Sequence, residues 1–281
     1  MCHPFETDYE HQQFEADFSE NLCRSWSSVH LWFTRSLSVG SPSVIVVGAG
    51  AFGGWSALQL TQRGAQVTLI DAWGPGNSRS SSGGETRTIR ATYGPAHILY
   101  TKMVVRALQL WQEYERRWNL KLFFRSGALR MAGVDGSYES AALPVLKEAG
   151  IRFEKLSAAE CASRWPQINF DGVPWSVYEP DSGFLAARRA CEAVWNAFLR
   201  QDGQYHQGQA TPGKITGNHM DGVTFGEDKI LKADCYVFAP GPWLGRVFPF
   251  LASSITPTRQ EVFFFGTPAG DVRFNEEHLP T

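Results

Sequence analysis

Residues 43–71 read SVIVVGAGAFGGWSALQLTQRGAQVTLID, and the fold turns on this stretch. It opens with a continuous apolar run that closes on glycine, the pattern of a strand covered on both faces. Phe52, Trp55, Leu58 and Leu60 then recur at helical spacing until Gly64 stops the helix. A second apolar run, AQVTLID, ends on Asp71. Strand, helix and strand within about 30 residues make the repeating unit of a doubly wound parallel sheet.

At the strand-to-helix turn, Gly48-Ala49-Gly50-Ala51-Phe52-Gly53 fits the pattern G-x-G-x-x-G, and Asp71 supplies the acidic residue after the second strand. Gly48 permits the tight turn, Gly50 lets the backbone approach a pyrophosphate, and Gly53 lets helix and strand pack closely. Phe52 lies in the same loop. The free N–H groups and dipole of the helix start favour an anion there. Asp71 is placed to accept from ribose hydroxyls. This fingerprint does not separate NAD from FAD.

Residues 81–93, SSGGETRTIRATY, are unexpected after such a unit. Ser82 and Glu85 have capping-box spacing, which predicts a short helix carrying Arg87 and Arg90 on one face. Two guanidiniums near a cofactor suit a carboxylate held in bidentate fashion, or negative charge on a reduced flavin. Read without context, they are two solvated surface arginines.

Further on, the pattern predicts a long helix over residues 98–118 and strands on either side of Ser126-Gly127. It also predicts a helix over 141–149, a strand in IRFEKL, and a helix opened by the capping box of Ser157 and Glu160. After the strand in VPWSVYEP comes a helix over about 185–200, then a last nucleotide-binding-type strand in KADCYVFAPG. TRQEVFFFGT, residues 258–267, alternates and then runs apolar like a strand of an antiparallel sheet. Glu179 and Asp181, flanking Pro180, read as turn chemistry. His206 and His219 read as surface or turn residues. Trp243 is the one tryptophan placed beside the cofactor turn.

With 43% apolar residues, ten Trp and nineteen Phe, the chain can bury a large core. Its formal charge of −2 gives no electrostatic footprint for nucleic acid or anionic lipid. No apolar run approaches the ~20 residues of a membrane span. Cys2, Cys23, Cys161, Cys191 and Cys235 show no metal-ligand or redox spacing, as expected of reduced cysteines in a cytoplasmic protein. No metal site is expected. Residues 1–42 are polar and acidic, without signal-peptide or transit-peptide character. They read as a poorly ordered extension in which SSVHLWFTRSL could form one or two amphipathic turns.

Taken together, residues 43–71 and SRSSSGGETRTIRATYG resemble the D-amino-acid-oxidase-type flavoproteins, and most of all the monomeric sarcosine oxidase and N-methyl-amino-acid oxidase branch. FFRSGALRM, EPDSGFL, ADCYVFAPGPW and TPTRQEVFFF follow in the same order as in that family. The resemblance implies FAD as cofactor. Gly48, Gly50, Gly53 and Asp71 fall at its pyrophosphate and ribose positions. The same resemblance puts Ser81 and Thr86 at positions lining the phosphate and flavin region, and Gly241 at a backbone turn near the cofactor. Arg87 falls beside the flavin ring, and Arg90 at a carboxylate-binding position.

Two departures point away from sarcosine itself: Ser82 and Gly83 replace histidines, and Thr258 replaces a tyrosine. The chain also ends before the segments that supply the family's flavin-linking cysteine, two lysines and closing glycine-rich loop. None of its cysteines falls at the attachment position. For the chain as given, the resemblance therefore implies weak, non-covalent FAD binding and little turnover.

The expected architecture is α/β: a Rossmann-type FAD-binding domain (43–122 and 184–252) interleaved with an α+β substrate domain (123–183 and 253–281) containing an antiparallel sheet. The expected function is oxidation of a C–N bond in a carboxylate-bearing amine, sarcosine-like or an N-methyl amino acid, to an imine. Flavin is reduced and oxygen serves as acceptor. The alternatives are a flavin dehydrogenase with another acceptor, a truncated FAD-binding paralogue without turnover, or an NAD-binding protein.

Overall fold

The computed structural model describes residues 40–93, 98–217 and 219–281, and the architecture below concerns the compact unit Pro42–Thr281. The readings made of residues 1–39 lie outside the described residues.

In chain order the elements begin with β1 (Ser43–Val47), α1 (Ala51–Gln62), β2 (Gln66–Asp71), β3 (Thr86–Ile89) and α2 (Ile98–Trp118). β4 (Phe123–Phe124), β5 (Ala128–Met131), α3 (Ser137–Glu148), β6 (Glu154–Ser157) and α4 (Ala158–Arg164) follow. Next come β7 (Trp175–Glu179), β8 (Gly183–Ala186), α5 (Ala187–Leu199) and β9 (Gln204–Gln207). Five short strands, β10 (Ala210–Pro212), β11 (Ile215–Thr216), β12 (His219–Met220), β13 (Val223–Phe225) and β14 (Lys229–Leu231), precede β15 (Cys235–Phe238) and the one-turn α6 (Leu244–Val247).

The central sheet is parallel, in the order β15-β1-β2-β9, with Val44 opposite both Val67 and Cys235. Its two faces explain why β1 is apolar from Val44 to Val47. Val44 and Val46 join a core with Leu58 of α1 and Val194 and Phe198 of α5. Ile45 and Val47 pack instead on Val223 and Phe225 of the antiparallel sheet β10-β13-β14. One face is thus covered by helices and the other by a small sheet, and each apolar residue of β1 contributes to one of two cores.

Two further antiparallel sheets, β3-β8-β4 and β5-β7-β6, form the other part of the fold. Phe124 of β4 and Phe184 of β8 stack in register, with centroids 5.0 Å apart and planes at 9°. Residue Thr281 bonds back to this region, donating its amide to the Gly127 carbonyl (3.0 Å) and accepting from the Leu129 amide (2.8 Å).

Most of the expected elements are present, and the capping box of Ser157 and Glu160 forms in full. The same spacing at Ser82 and Glu85 does not start a helix. Residues 86–89 form β3, whose Arg87 lies opposite Leu185 of β8. Two glycines follow Ser82, each costing a helix about 1 kcal/mol relative to alanine, whereas Thr86 and Thr88 are β-branched and find a ready partner strand. Arg87 and Arg90 therefore do not share a helical face, since residues three apart along extended chain point to opposite sides.

The strand expected in TRQEVFFFGT is also not formed. Val262, Phe263, Phe264 and Phe265 are exposed and irregular, because no strand among the described residues pairs with them. Leu185 and Ala186, expected to open a helix, instead end β8, and the helix begins at Ala187. His206 lies in β9, opposite Ile70, rather than in a turn.

Candidate active site

A cavity of about 910 Å³ opens at the carboxyl ends of β1, β2 and β15, where open parallel sheets bind ligands. Gly48, Gly50, Phe52, Asp71, Ser81, Arg87 and Gly241 all line it. Gly53 stands behind the lining: a Cβ there would lie 1.7 Å from the Gly48 carbonyl oxygen, so only glycine lets α1 approach the end of β1. Thr86 and Arg90 are not part of the lining.

The residues present fit a dinucleotide. The volume lies at the upper end of that of small-molecule sites, about 300–1,000 Å³, and the start of α1 faces it through Gly50, Ala51 and Phe52. Asp71 is held by three backbone donors. Its Oδ2 accepts from the Ala49 amide (2.7 Å), and its Oδ1 from the amides of Trp73 (2.8 Å) and Gly74 (2.7 Å). A carboxylate offers about four acceptor positions, which leaves one for a ribose hydroxyl. The same contacts tie the glycine loop to the loop after β2, so Asp71 shapes the site as well as facing it.

The Ser/Gly run acquires a purpose at this point. Ser82 Oγ accepts from the Ala51 amide (2.9 Å), capping α1 from a distant loop. The Ser81 carbonyl accepts from Arg87 Nε (3.0 Å) and the Thr86 carbonyl from Arg87 Nη1 (2.8 Å). Gly84, at φ +94°, leaves room for that guanidinium, whose Nη1 would lie 2.8 Å from any Cβ. Arg87 is thereby held at the cavity. Arg90, just past β3, donates to the Thr92 carbonyl and lies over the Tyr93 ring, 4.9 Å from its centroid.

Among the lining residues that the sequence alone does not mark as site residues, three carry aromatic, charged or thiol groups that bear on the site. Trp73 meets Trp243 with ring centroids 4.8 Å apart, joining the loop after β2 to the turn after β15. Arg246 adds a second guanidinium to the lining. Cys191 of α5 donates its thiol to the Ser82 carbonyl (3.7 Å). A position two residues after Asp71 was a readable signal for Trp73; nothing in the sequence marked Cys191.

Burial pushes the Cys191 thiol up to about 11 and the Tyr205 hydroxyl up to about 12, with the charge of Asp71 adding to the latter. Both groups are favoured neutral in the folded state. Their stabilising contribution is therefore fully present below the ordinary thiol and phenol pKa values and is lost as pH rises through about 11 to 12. Thermal melts are expected to fall between pH 9 and 11 in the wild type and less steeply in Cys191→Ala; parallel falls would show that Cys191 is not responsible.

Among the described residues, no group of three His, Cys, Asp or Glu could hold a metal, and no helix is long and apolar enough to cross a membrane. The family profile described as DAO, FAD dependent oxidoreductase, matches residues 43–281. N-methyl-L-tryptophan oxidase of Citrobacter koseri is 29% identical over 220 residues, 77% of this chain and 57% of the relative. Monomeric sarcosine oxidase of Bacillus sp. is 32% identical over 152 residues, 53% of this chain and 38% of the relative. The chain thus spans little more than half the length of the curated relatives it matches.

Among solved structures, L-proline dehydrogenase from P. horikoshii superposes with a TM-score of 0.63 at 19% identity, covering 76% of this chain and 56% of that one. NikD, an amino acid oxidase of nikkomycin biosynthesis, gives 0.60 at 22% identity, covering 76% and 55%. At these identities the likeness is one of fold.

Proposed function

The chain belongs to the FAD-dependent oxidoreductase family, and from that premise we propose that it binds FAD in the 910 Å³ cavity and serves the oxidation of a carboxylate-bearing amine at a C–N bond to an imine. The observation that carries this reading is the meeting of Gly50, Asp71 and Arg87 on one cavity at the switch point of the parallel sheet.

FAD, when bound, supplies the two-electron acceptor. The protein's part is to bind and orient. The start of α1 provides amides and a dipole for the pyrophosphate, and Asp71 an acceptor for the ribose. Arg87, with its guanidinium held by the Ser81 and Thr86 carbonyls at the cavity, would supply a fixed positive charge to a bound flavin. Arg90 receives the substrate carboxylate. In this proposal residues 43–122 and 184–252 hold the cofactor, and residues 123–183 and 253–281 face the substrate.

Within the substrate class, Ser82 and Gly83 leave no imidazole at the α1 cap, a departure that counts against sarcosine itself, and an N-methyl amino acid with a larger side chain, as in the name of the Citrobacter relative, is the candidate. Oxygen as acceptor and a cytoplasmic location belong to the same proposal. One solved neighbour is named a dehydrogenase, so a carrier as acceptor is the second reading; peroxide release under air separates the two. Flavin uptake without turnover would identify a non-catalytic relative.

Anaerobic mixing of the FAD-loaded chain with N-methyl-L-tryptophan is expected to bleach the flavin absorbance. Truncating one partner of a buried charge pair costs about 2 kcal/mol or more. Arg90→Ala should therefore raise the half-saturating concentration about 30-fold, with no effect on the methyl ester. Equal losses for acid and ester would overturn the assignment of Arg90.

A further inference from the structure

Glu179 ends β7 and is only 2% exposed, although the sequence pattern assigns it to a turn. A turn requires no buried carboxyl group, and burying one is costly unless its oxygens are hydrogen-bonded. Here they are. Oε2 accepts from the Ala91 amide (2.7 Å) and from Ser182 Oγ (2.7 Å). Oε1 accepts from the Thr92 amide (2.9 Å) and from Thr92 Oγ1. Thr101 Oγ1 donates to the Ala91 carbonyl from the other side (3.0 Å). Thr92, Thr101, Glu179 and Ser182 are four of the six buried polar residues among those described.

The two amides that Glu179 captures lie just past the end of β3, where the ladder to β8 stops at Ile89 opposite Gly183. The carboxyl group supplies acceptors that the sheet no longer provides. By holding Thr92 through both its amide and its hydroxyl, it fixes the direction of the Thr92 carbonyl. That carbonyl is the acceptor for Arg90 Nη1, and the next residue, Tyr93, carries the ring beneath the Arg90 guanidinium.

We infer that Glu179 is a positioning residue for Arg90: its carboxyl group sets the backbone at Ala91 and Thr92, and so fixes the guanidinium that receives a ligand's carboxylate. This rests on the reading of Arg90 given above. Glu179 does not line the cofactor cavity, so its effect on carboxylate binding is separable from FAD binding. In Glu179→Gln an NH₂ group must face one of the donors now satisfied, and the Thr92 carbonyl loses its fixed direction.

The test uses the 281-residue chain loaded with FAD and titrated with indole-3-acetate, a carboxylate that cannot be oxidised as an amine, and with 3-methylindole, which lacks the carboxylate. The perturbed flavin spectrum reports binding. Glu179→Gln is expected to raise the Kd for indole-3-acetate tenfold or more, while the Kd values for FAD and for 3-methylindole stay within twofold. A purely structural role would weaken all three together and would overturn the inference, as would an unchanged Kd for indole-3-acetate.

Ser182→Ala removes one donor and is expected to give a two- to fivefold loss for indole-3-acetate, keeping the question answerable if Glu179→Gln does not fold. Residue-resolved amide exchange at Ala91 and Thr92 needs no flavin. If the wild-type chain takes up no FAD, the cofactor reading falls, while exchange at these two amides that is slow in wild type and at least tenfold faster in Glu179→Gln still supports the pinning. Equal exchange in the two chains overturns it.

Discussion

Gly53→Ala is expected to abolish FAD retention, raising its Kd by 100-fold or more, whereas the neighbouring Gly54→Ala leaves it within a few-fold of wild type. Both glycines lie in the first turn of α1 and both substitutions favour the helix by about 1 kcal/mol in propensity. Their surroundings differ. A Cβ on Gly53 would lie 1.7 Å from the Gly48 carbonyl oxygen and 2.9 Å from its carbon, both backbone atoms. The amide of Gly48 is itself tied to the Ile70 carbonyl at 2.7 Å, so the loop cannot yield without disturbing β2.

The helix must therefore move outward, taking the amides of Ala51 and Phe52 with it and breaking the Ser82 cap. Overpacking of this kind costs about 1–3 kcal/mol and occasionally more. A Cβ on Gly54 would meet Val194 Cγ1 at 3.4 Å, an ordinary contact. Isothermal titration of both variants with FAD checks the pair, and equal affinities would refute the packing argument.

Asp71→Ala carries the second large effect, and it separates two roles for this carboxylate. If Asp71 only met the ribose, its loss would weaken FAD and leave the ligand-free protein as stable as before. The structure gives it three backbone donors, from Ala49, Trp73 and Gly74. Leaving a buried donor without an acceptor costs about 1–3 kcal/mol, and the Ala49 and Gly74 contacts are partly buried. Scanning calorimetry of the ligand-free variant is therefore expected to show a fall of about 5 °C or more, at roughly 2–4 °C per kcal/mol for a chain near this size. FAD affinity should fall more than tenfold as well. Asp71→Asn should be intermediate, since one oxygen still accepts while the NH₂ opposes a donor. An unchanged ligand-free melt would leave the ribose contact as the sole role.

Much of the cofactor end was legible in the sequence because its requirements are local. A strand covered on both faces must be apolar throughout, and the 1.7 Å approach at Gly53 admits no other residue. What failed was a local signal overruled by a distant partner. Ser157 and Ser82 each precede a glutamate at capping-box spacing. Only Ser157 caps the helix that directly follows it, because helix-forming Ala-Ala-Glu-Cys-Ala comes next, whereas Ser82 is followed by Gly83 and Gly84 and then by a strand that β8 completes, and caps α1 instead.

Glu179 was misread for a similar reason. Its neighbours Pro180 and Asp181 announce a turn, while the two backbone amides that it accepts from lie 87 and 88 residues away. The strands between residues 204 and 231 were missed because they are two to four residues long and half exposed, and so too short to show alternation. In TRQEVFFFGT the apolar run Val262 to Phe265 is strand-like in composition, but a strand also needs a neighbour.

Whether this glycine loop, Asp71 and Arg87 together make a site for FAD can be measured on the purified chain. Equilibrium titration of the purified 281-residue chain with FAD and, separately, with NAD, followed by tryptophan fluorescence from the Trp73–Trp243 pair, tests it most directly. Saturable one-to-one binding of FAD is expected, with quenching that Trp243→Phe reduces and at least tenfold weaker binding of NAD. NAD binding as tight as FAD, or no saturable FAD binding, would contradict it.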